Sequence, residues 1–505
     1  MLKRNILANF VGNIWVALMG VAFVPVYIKY LGVEAYGLIG LSAVIIATLT
    51  FLDLGLSPML SREMARYRGG NQSEDSICSL LRVVELYSWS IGLLGVVALW
   101  FIAPWLATSW IRSESLSPDT VTHALRILAL VVVFRLVEGV YRGVLIGLQE
   151  QVRVNVLAAA AATLRAVGAI AVLAWWSPTL DAFIWWQGAV AAVSLGFFMA
   201  CGHAALPRSQ VSLDLGIRTL RASWPFARGM LVSSFLVLGL TQTDKVLLAR
   251  LLTLSEYGQY SLALLASSCV AMAATPIGQA LYPRLTEIHA RGASEAFVRE
   301  FHRGAQLAMV AAGSVGIVLI VFADRIMLLW TGNPELVASV STPVRLLATG
   351  SLLNSCMLVV YFCQLATGWT ALANSVNTVS ILVVIPALIL VVPRAGMAGA
   401  AAVWAALNMG YVLIGAPLTF RRLLPGEMSS WYVHDTVIPL AAGFTVCLMF
   451  RAASPFDGTS ATQQVTLLVS SAAATLTAVS VAAPMVRLNM IAMLKRWLNQ
   501  SQGST

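Results

Sequence analysis

Apolar runs about twenty residues long recur from one end of this chain to the other, and they limit its fold more than any other feature. A helix of that length spans about 30 Å, the thickness of a bilayer's hydrocarbon core. Fourteen such runs can be placed, at 9–30, 38–60, 83–107, 123–148, 154–176, 182–206, 227–250, 260–282, 304–330, 342–366, 371–392, 398–420, 434–451 and 464–487. The widest polar gaps between them, near 61–82, 207–226 and 283–303, hold only about twenty residues, too few for a soluble domain. Hydrophobic residues make up 59% of the chain and charged residues 11%, against about 25% charged in soluble domains. The expectation is an all-α polytopic membrane protein of about fourteen transmembrane helices.

The opening stretch, MLKRNILANFVGNIWVALMGVAFVPVYIKY, has a basic end and a long apolar body. A signal peptide has a shorter apolar core and a small-residue cleavage site, so this stretch reads as a retained first helix. The net charge of +10 does not indicate a nucleic-acid face, because the basic residues sit in short loops between spans. With the amino terminus placed in the cytoplasm, 21 of the 32 lysines and arginines fall inside and seven outside. The inside set includes Lys3, Arg4, Arg62, Arg66, Arg208, Arg303 and Arg421. That asymmetry predicts both termini inside. Trp100, Trp105 and Trp110 cluster at one expected outside end, and Trp175, Trp176, Trp185 and Trp186 flank one outside turn. Such rings prefer the headgroup layer.

Six scattered cysteines and five histidines show no metal-ligand or disulfide spacing. No metal and no cofactor is expected, and no Gly-rich nucleotide loop with a lysine is present. A weak repeat is visible: YLGVEAYGLIGLS at 30–42 aligns with LLTLSEYGQYSLA at 251–263, placing Tyr36 opposite Tyr257. Each copy lies between the first and second span of a six-helix set. An even number of spans makes such halves parallel repeats, and transporters built from repeats bind substrate between them.

These residues carry a family resemblance. Asn13 to Pro25, Tyr30 to Leu38, and Asp53-Leu54-Gly55-Leu56 with Arg62-Glu63 resemble Wzx-type oligosaccharide flippases. So do Gln242-Thr243-Asp244-Lys245-Val246-Leu247-Leu248, Glu256-Tyr257-Gly258-Gln259-Tyr260, and Gly147-Leu148-Gln149 with Asn155. That family belongs to the superfamily that also holds MATE exporters and MurJ-like lipid II flippases. The resemblance implies two six-helix lobes around a central cavity, 1–206 and 227–420, joined by a cytoplasmic linker at 207–226. An accessory helix pair would follow at 434–487, then a basic amphipathic tail at 488–505 lying on the inner surface. It implies no bond chemistry, hence not an enzyme, but flipping of a polyprenyl-diphosphate-linked oligosaccharide to the outer leaflet of a bacterial inner membrane. Membrane lipids are expected partners, with a polysaccharide polymerase or another glycan-assembly protein as a further candidate, and no nucleic acid.

Ionisable residues inside spans are costly, roughly 2.5–3.5 kcal/mol each at mid-helix on insertion scales. The fourth and fifth spans carry Arg126, Arg135, Glu138 and Arg165. Arg135 and Glu138 share a helix face. Glu138 and Arg165 lie at similar distances from the turn near Gln151, so they could pair across the two helices. The surplus of arginine suits a diphosphate, whose oxygens match the guanidinium fork; an ion-paired packing cluster is the other reading. Arg126 lies nearer the surface and could snorkel. Asp53 could carry a coupling proton, but Asp53-Leu54-Gly55 with Pro58 favours the cap of a helix break. Asp244 and Lys245 are neighbours that point to different faces and so need separate partners; interlobe pairing and gating are the two roles open to them. Arg62, with Glu63 and Arg66, is either positive-inside charge or a landing site for the diphosphate. Three rivals compete: a MATE-like exporter, which needs an acidic cavity for cations; a membrane enzyme, which needs a large external loop; and a non-transporting member of a glycan-assembly complex.

Overall fold

The computed structural model describes residues 2–49, 53–369, 371–453, 460–488 and 490–492, and these are almost wholly helical. Eleven of the described helices are long and apolar enough to cross a membrane by themselves. The chain forms two compact units, 1–258 and 259–505.

The first unit opens with α1 (Leu2–Ala22) and α2 (Val24–Leu49), which turns at Gly32. A break at 53–55 leads into α3 (Leu56–Arg68). Four long helices follow: α4 (Glu74–Trp110), α5 (Pro118–Gly147), α6 (Gln151–Trp176) and α7 (Leu180–Ala204). Their starts are set by residues whose side chains accept a first-turn N–H: Ser73 for α4, Ser117 ahead of Pro118 for α5, and Thr179 for α7. Helix α5 runs through the middle of the unit and is buried on nearly every side. Its Val140, Val144 and Leu148 pack with Leu56, Met59, Leu60 and Met64 of α3 and with Ile77, Leu80 and Val84 of α4. Its Val137, Tyr141 and Leu145 pack with Leu195 and Phe198 of α7. Without such contacts α3 would be an isolated 13-residue amphipathic helix, marginal in water.

Helix α8 (Leu213–Leu251) is capped by Ser212 and packs against α2, α3 and α4. The segment 207–226, expected as a linker, is therefore helical from Leu213, and the compact first unit extends past the expected lobe boundary to residue 258. Helix α9 (Leu254–Ala290) starts at the end of this unit.

The second unit holds the rest of α9, then α10 (Ser294–Val321), α11 (Ala323–Thr331), α12 (Pro334–Ala366), α13 (Ala371–Leu423), α14 (Met428–Ala453) and α15 (Ala461–Ala482). Helix α13 covers two expected spans, 371–392 and 398–420, because the chain turns within it at Gly396. There φ is 55° and ψ −144°, a conformation essentially reserved for glycine. Helix α10 is this unit's buried centre, and its Ile317, Val318 and Val321 pack with Cys447 of α14 and Val479 of α15. The described residues of the stretch 434–487 are mostly helical, in α14 and α15. The expected amphipathic tail, 488–505, lies almost entirely outside the described residues.

Candidate functional site

A cavity of about 560 Å³ in the first unit has walls from α1, α2, α5, α6 and α7. Most of its lining is apolar, including Val16, Leu38, Leu128 and Ile184. Three uncharged polar side chains and two arginines interrupt that surface. Tyr27 donates its hydroxyl to the Ala166 carbonyl at 3.3 Å and sets its ring edge-on to Phe183. Ser42 bonds back to Ile39 of its own helix. Gln187 comes from α7, and Arg135 and Arg165 enter from α5 and α6. In such a setting a guanidinium interacts far more strongly with a partner than it would in water.

The two arginines are held differently. Arg135 lies 3.5 Å from the carboxylate of Glu138, one turn along α5. Glu138 is buried and serves three groups, since Arg142 also lies at 3.5 Å and the Ser194 hydroxyl donates to it at 2.9 Å. The cross-helix pair Glu138–Arg165 is not formed. The carboxylate turns toward α7, while Arg165 turns into the cavity, where it makes no ion pair or hydrogen bond among the described residues. Arg126 lies elsewhere: its guanidinium stacks on Trp100 at 4.5 Å and its Nε donates to the Trp100 carbonyl at 3.4 Å. The charge thus rests on a ring face of α4, outside the cavity lining.

Asp53 serves the helix break. Its carboxylate accepts the Ser57 N–H at 3.0 Å and the Ser57 hydroxyl at 2.7 Å. Arg62 lies 3.7 Å from fully buried Glu63, which also takes Arg66 at 3.1 Å and the Gln72 amide at 2.8 Å. Asp244 and Lys245 lie 3.7 Å apart as chain neighbours, and Lys245 donates to the Thr241 carbonyl one turn back. One carboxylate oxygen of Asp244 is buried without a hydrogen-bond partner. None of these four lines the arginine cavity.

Residues of the repeat and of the 147–155 motif do local structural work. Glu34 accepts the backbone N–H groups of Glu114 at 2.7 Å and Ser115 at 2.9 Å, fastening the turn before α5. Asn155 donates to the Gln151 carbonyl at 2.7 Å and joins Asn9 of α1. Two features escaped sequence reading. Tyr27, Ser42 and Gln187 reach the cavity from positions with no charge of their own to flag them. Glu85 is buried in α4, where Tyr141 donates to it at 2.8 Å and His203 lies at 3.0 Å; a lone glutamate in the apolar run after Arg82 was its only signal.

The helix order and two-unit build define a class of multi-pass membrane protein already known from solved structures. The fold is shared with the lipid II flippase MurJ in an inward closed conformation, at a TM-score of 0.66 and 12% identity over 93% of this chain and 97% of that one. It is shared also with an inward-facing multidrug resistance MATE family transporter of the MOP superfamily, at a TM-score of 0.60 and 14% identity over 85% of this chain and 95% of that one. A third is the MATE multidrug transporter DinF-BH, at 0.57 and 14%, over 83% and 95%. Residues 2–289 match the polysaccharide biosynthesis protein family, and the chain belongs to that family. No curated protein matches its sequence.

Proposed function

We propose that this protein is a flippase that carries a polyprenyl-diphosphate-linked oligosaccharide from the cytoplasmic to the outer leaflet of the bacterial inner membrane. Arg135 and Arg165 would receive the diphosphate. The observation that carries this reading is Arg165, a cation turned into a mostly apolar cavity with no carboxylate of its own among the described residues. A charge placed there is costly unless a ligand uses it. Membership of a polysaccharide biosynthesis family supports a glycan-bearing cargo, and a fold shared with a lipid II flippase fits a lipid-linked one. Transport needs no bond chemistry: the arginine forks bind phosphate oxygens in parallel, and the apolar wall suits the start of a polyprenyl chain. The same fold serves MATE transporters, but a cavity lined by two arginines and, among the described residues, no carboxylate repels a cationic drug.

The test is polysaccharide export in cells that depend on this chain. A charge-assisted hydrogen bond contributes about 1.5–3 kcal/mol, so Arg165→Ala and Arg135→Ala should each lower export at least about tenfold at equal protein level. Arg165→Lys keeps the charge without the fork and should retain an intermediate rate. Wild-type export from Arg165→Ala would remove the basis of this reading.

A further inference from the structure

We infer that His302, Asp435 and Glu427 form a proton-binding site in the second unit, a bound proton clamping α14 and the turn after α15 against α10. The site is separate from the arginine cavity and does not depend on the function proposed above. His302 is buried at the end of α10 that carries Arg299 and Arg303. Its Nδ1 meets a carboxylate oxygen of Asp435, and its Nε2 lies 3.1 Å from Glu427. A neutral imidazole can donate from one nitrogen only. Facing carboxylates on both sides, the ring satisfies both contacts only as the imidazolium. The carboxylates approach opposite ring nitrogens, so the three groups cannot converge on one metal ion.

The environment gives that proton leverage. Asp435 is almost completely buried and also accepts the Gln306 amide at 2.7 Å. The Gln306 oxygen accepts the Met485 N–H at 2.7 Å. One connected set of hydrogen bonds thus joins α10, the start of α14 and the turn after α15. Among the other charges of the packed elements, Glu300 and Arg303 on α10 pair with each other at 3.8 Å. Helix α15 carries no charged residue, and those of α12, Glu335 and Arg345, stand in its first half. Helix α11 brings Asp324, which Arg451 of α14 engages. Glu287 near the end of α9 holds Arg284 and Arg291, and Arg421 and Arg422 end α13. Asp435 and Glu427 are the carboxylates that contact the ring among the described residues. Loss of the proton would end one hydrogen bond and leave two carboxylates around a neutral ring, which is unfavourable when buried.

The test uses the full untagged chain in lipid nanodiscs with ¹⁵N-labelled histidine. At pH 7.5 an ordinary imidazole, with a pKa of about 6.5, is about tenfold more neutral than charged. One of the five histidines should instead show both ring nitrogens protonated at that pH, and the signal should vanish in His302→Gln. Hydrogen exchange reads the clamp itself. After correction for intrinsic rates, amides of 428–453 should exchange at least about fivefold faster at pH 9 than at pH 7 in the wild type, and equally at both in His302→Gln. If that variant does not accumulate, Glu427→Gln, which alters the more exposed partner, should lower the pH at which the imidazolium signal disappears. No imidazolium signal at pH 7.5, or one that survives His302→Gln or is unmoved by Glu427→Gln, would overturn the site. Corrected exchange that is independent of pH would overturn the clamp.

Discussion

Gly37 and Gly258 meet backbone to backbone, with no space between their helices for a methyl group. A Cβ on Gly37 would stand 2.2 Å from the Leu254 carbonyl oxygen, and one on Gly258 would stand 2.4 Å from that of Val33. These glycines occupy the same position in the two copies of the repeat, so the weak sequence similarity marks a place where α2 and α9 touch each other.

That contact gives the first prediction. Gly37→Ala and Gly258→Ala should each destabilise the protein by about 1–3 kcal/mol, the usual penalty for overpacking. Gly196→Ala, with open space around its Cβ, should be neutral or stabilising by up to about 1 kcal/mol from helix propensity. Thermal unfolding in one detergent checks all three; equal behaviour of Gly37→Ala and Gly196→Ala would show that the close approach does not matter.

The second prediction concerns Glu138, which Arg135, Arg142 and Ser194 share. Glu138→Gln leaves a partly buried Arg135 without its counter-charge and should lower stability by about 3–5 kcal/mol. Adding Arg135→Met should restore accumulated protein, whereas adding Arg165→Met should not. Immunoblots of the membrane fraction decide. Rescue by the Arg165 change would mean that the two helices rotate into a pairing different from the one described.

A third prediction rests on Arg451, whose two terminal nitrogens lie 2.9 and 3.0 Å from the two oxygens of Asp324. The pair is only partly buried, and Asp324 also meets Arg345 at 3.3 Å. A double-mutant cycle with Asp324→Asn and Arg451→Gln should return a coupling of about 1 kcal/mol. Coupling indistinguishable from zero would demote the fork to a contact without energetic weight.

The fourth prediction is topological. Reporter fusions after Ser115 and Leu180 should read external, and those after Gln72 and Arg208 cytoplasmic, following the charge asymmetry. The exposed rings of Trp175 and Trp176, 86% and 79% accessible in the isolated chain, are free to lie in a headgroup layer at the turn they flank. A cytoplasmic signal after Leu180 would invert the orientation of the first unit.

How far the sequence reaches is clear from single residues. The helices were legible because a membrane span is a local property: about twenty apolar residues close their own backbone hydrogen bonds wherever their neighbours lie. The part Asp53 plays at the helix break was readable from a local signal, the Gly55 and Pro58 that follow it. The repeat was legible as a pattern, though nothing in it showed that its two glycines touch. Pairing across helices was not legible. Glu138 and Arg165 lie at matching distances from their turn, but depth along a helix says nothing about rotation around it. Helix α5 packs chiefly on α4 and α7, and α6 chiefly on α1, so the carboxylate finds Ser194 while the arginine finds the cavity. His302 and Asp435 stand 133 positions apart with no motif between them. Sequence by itself determined which segments are helices and which ends carry charge, because those depend on neighbours along the chain. The tertiary structure alone decided which buried charges meet, because that depends on the crossing and rotation of helices remote in sequence.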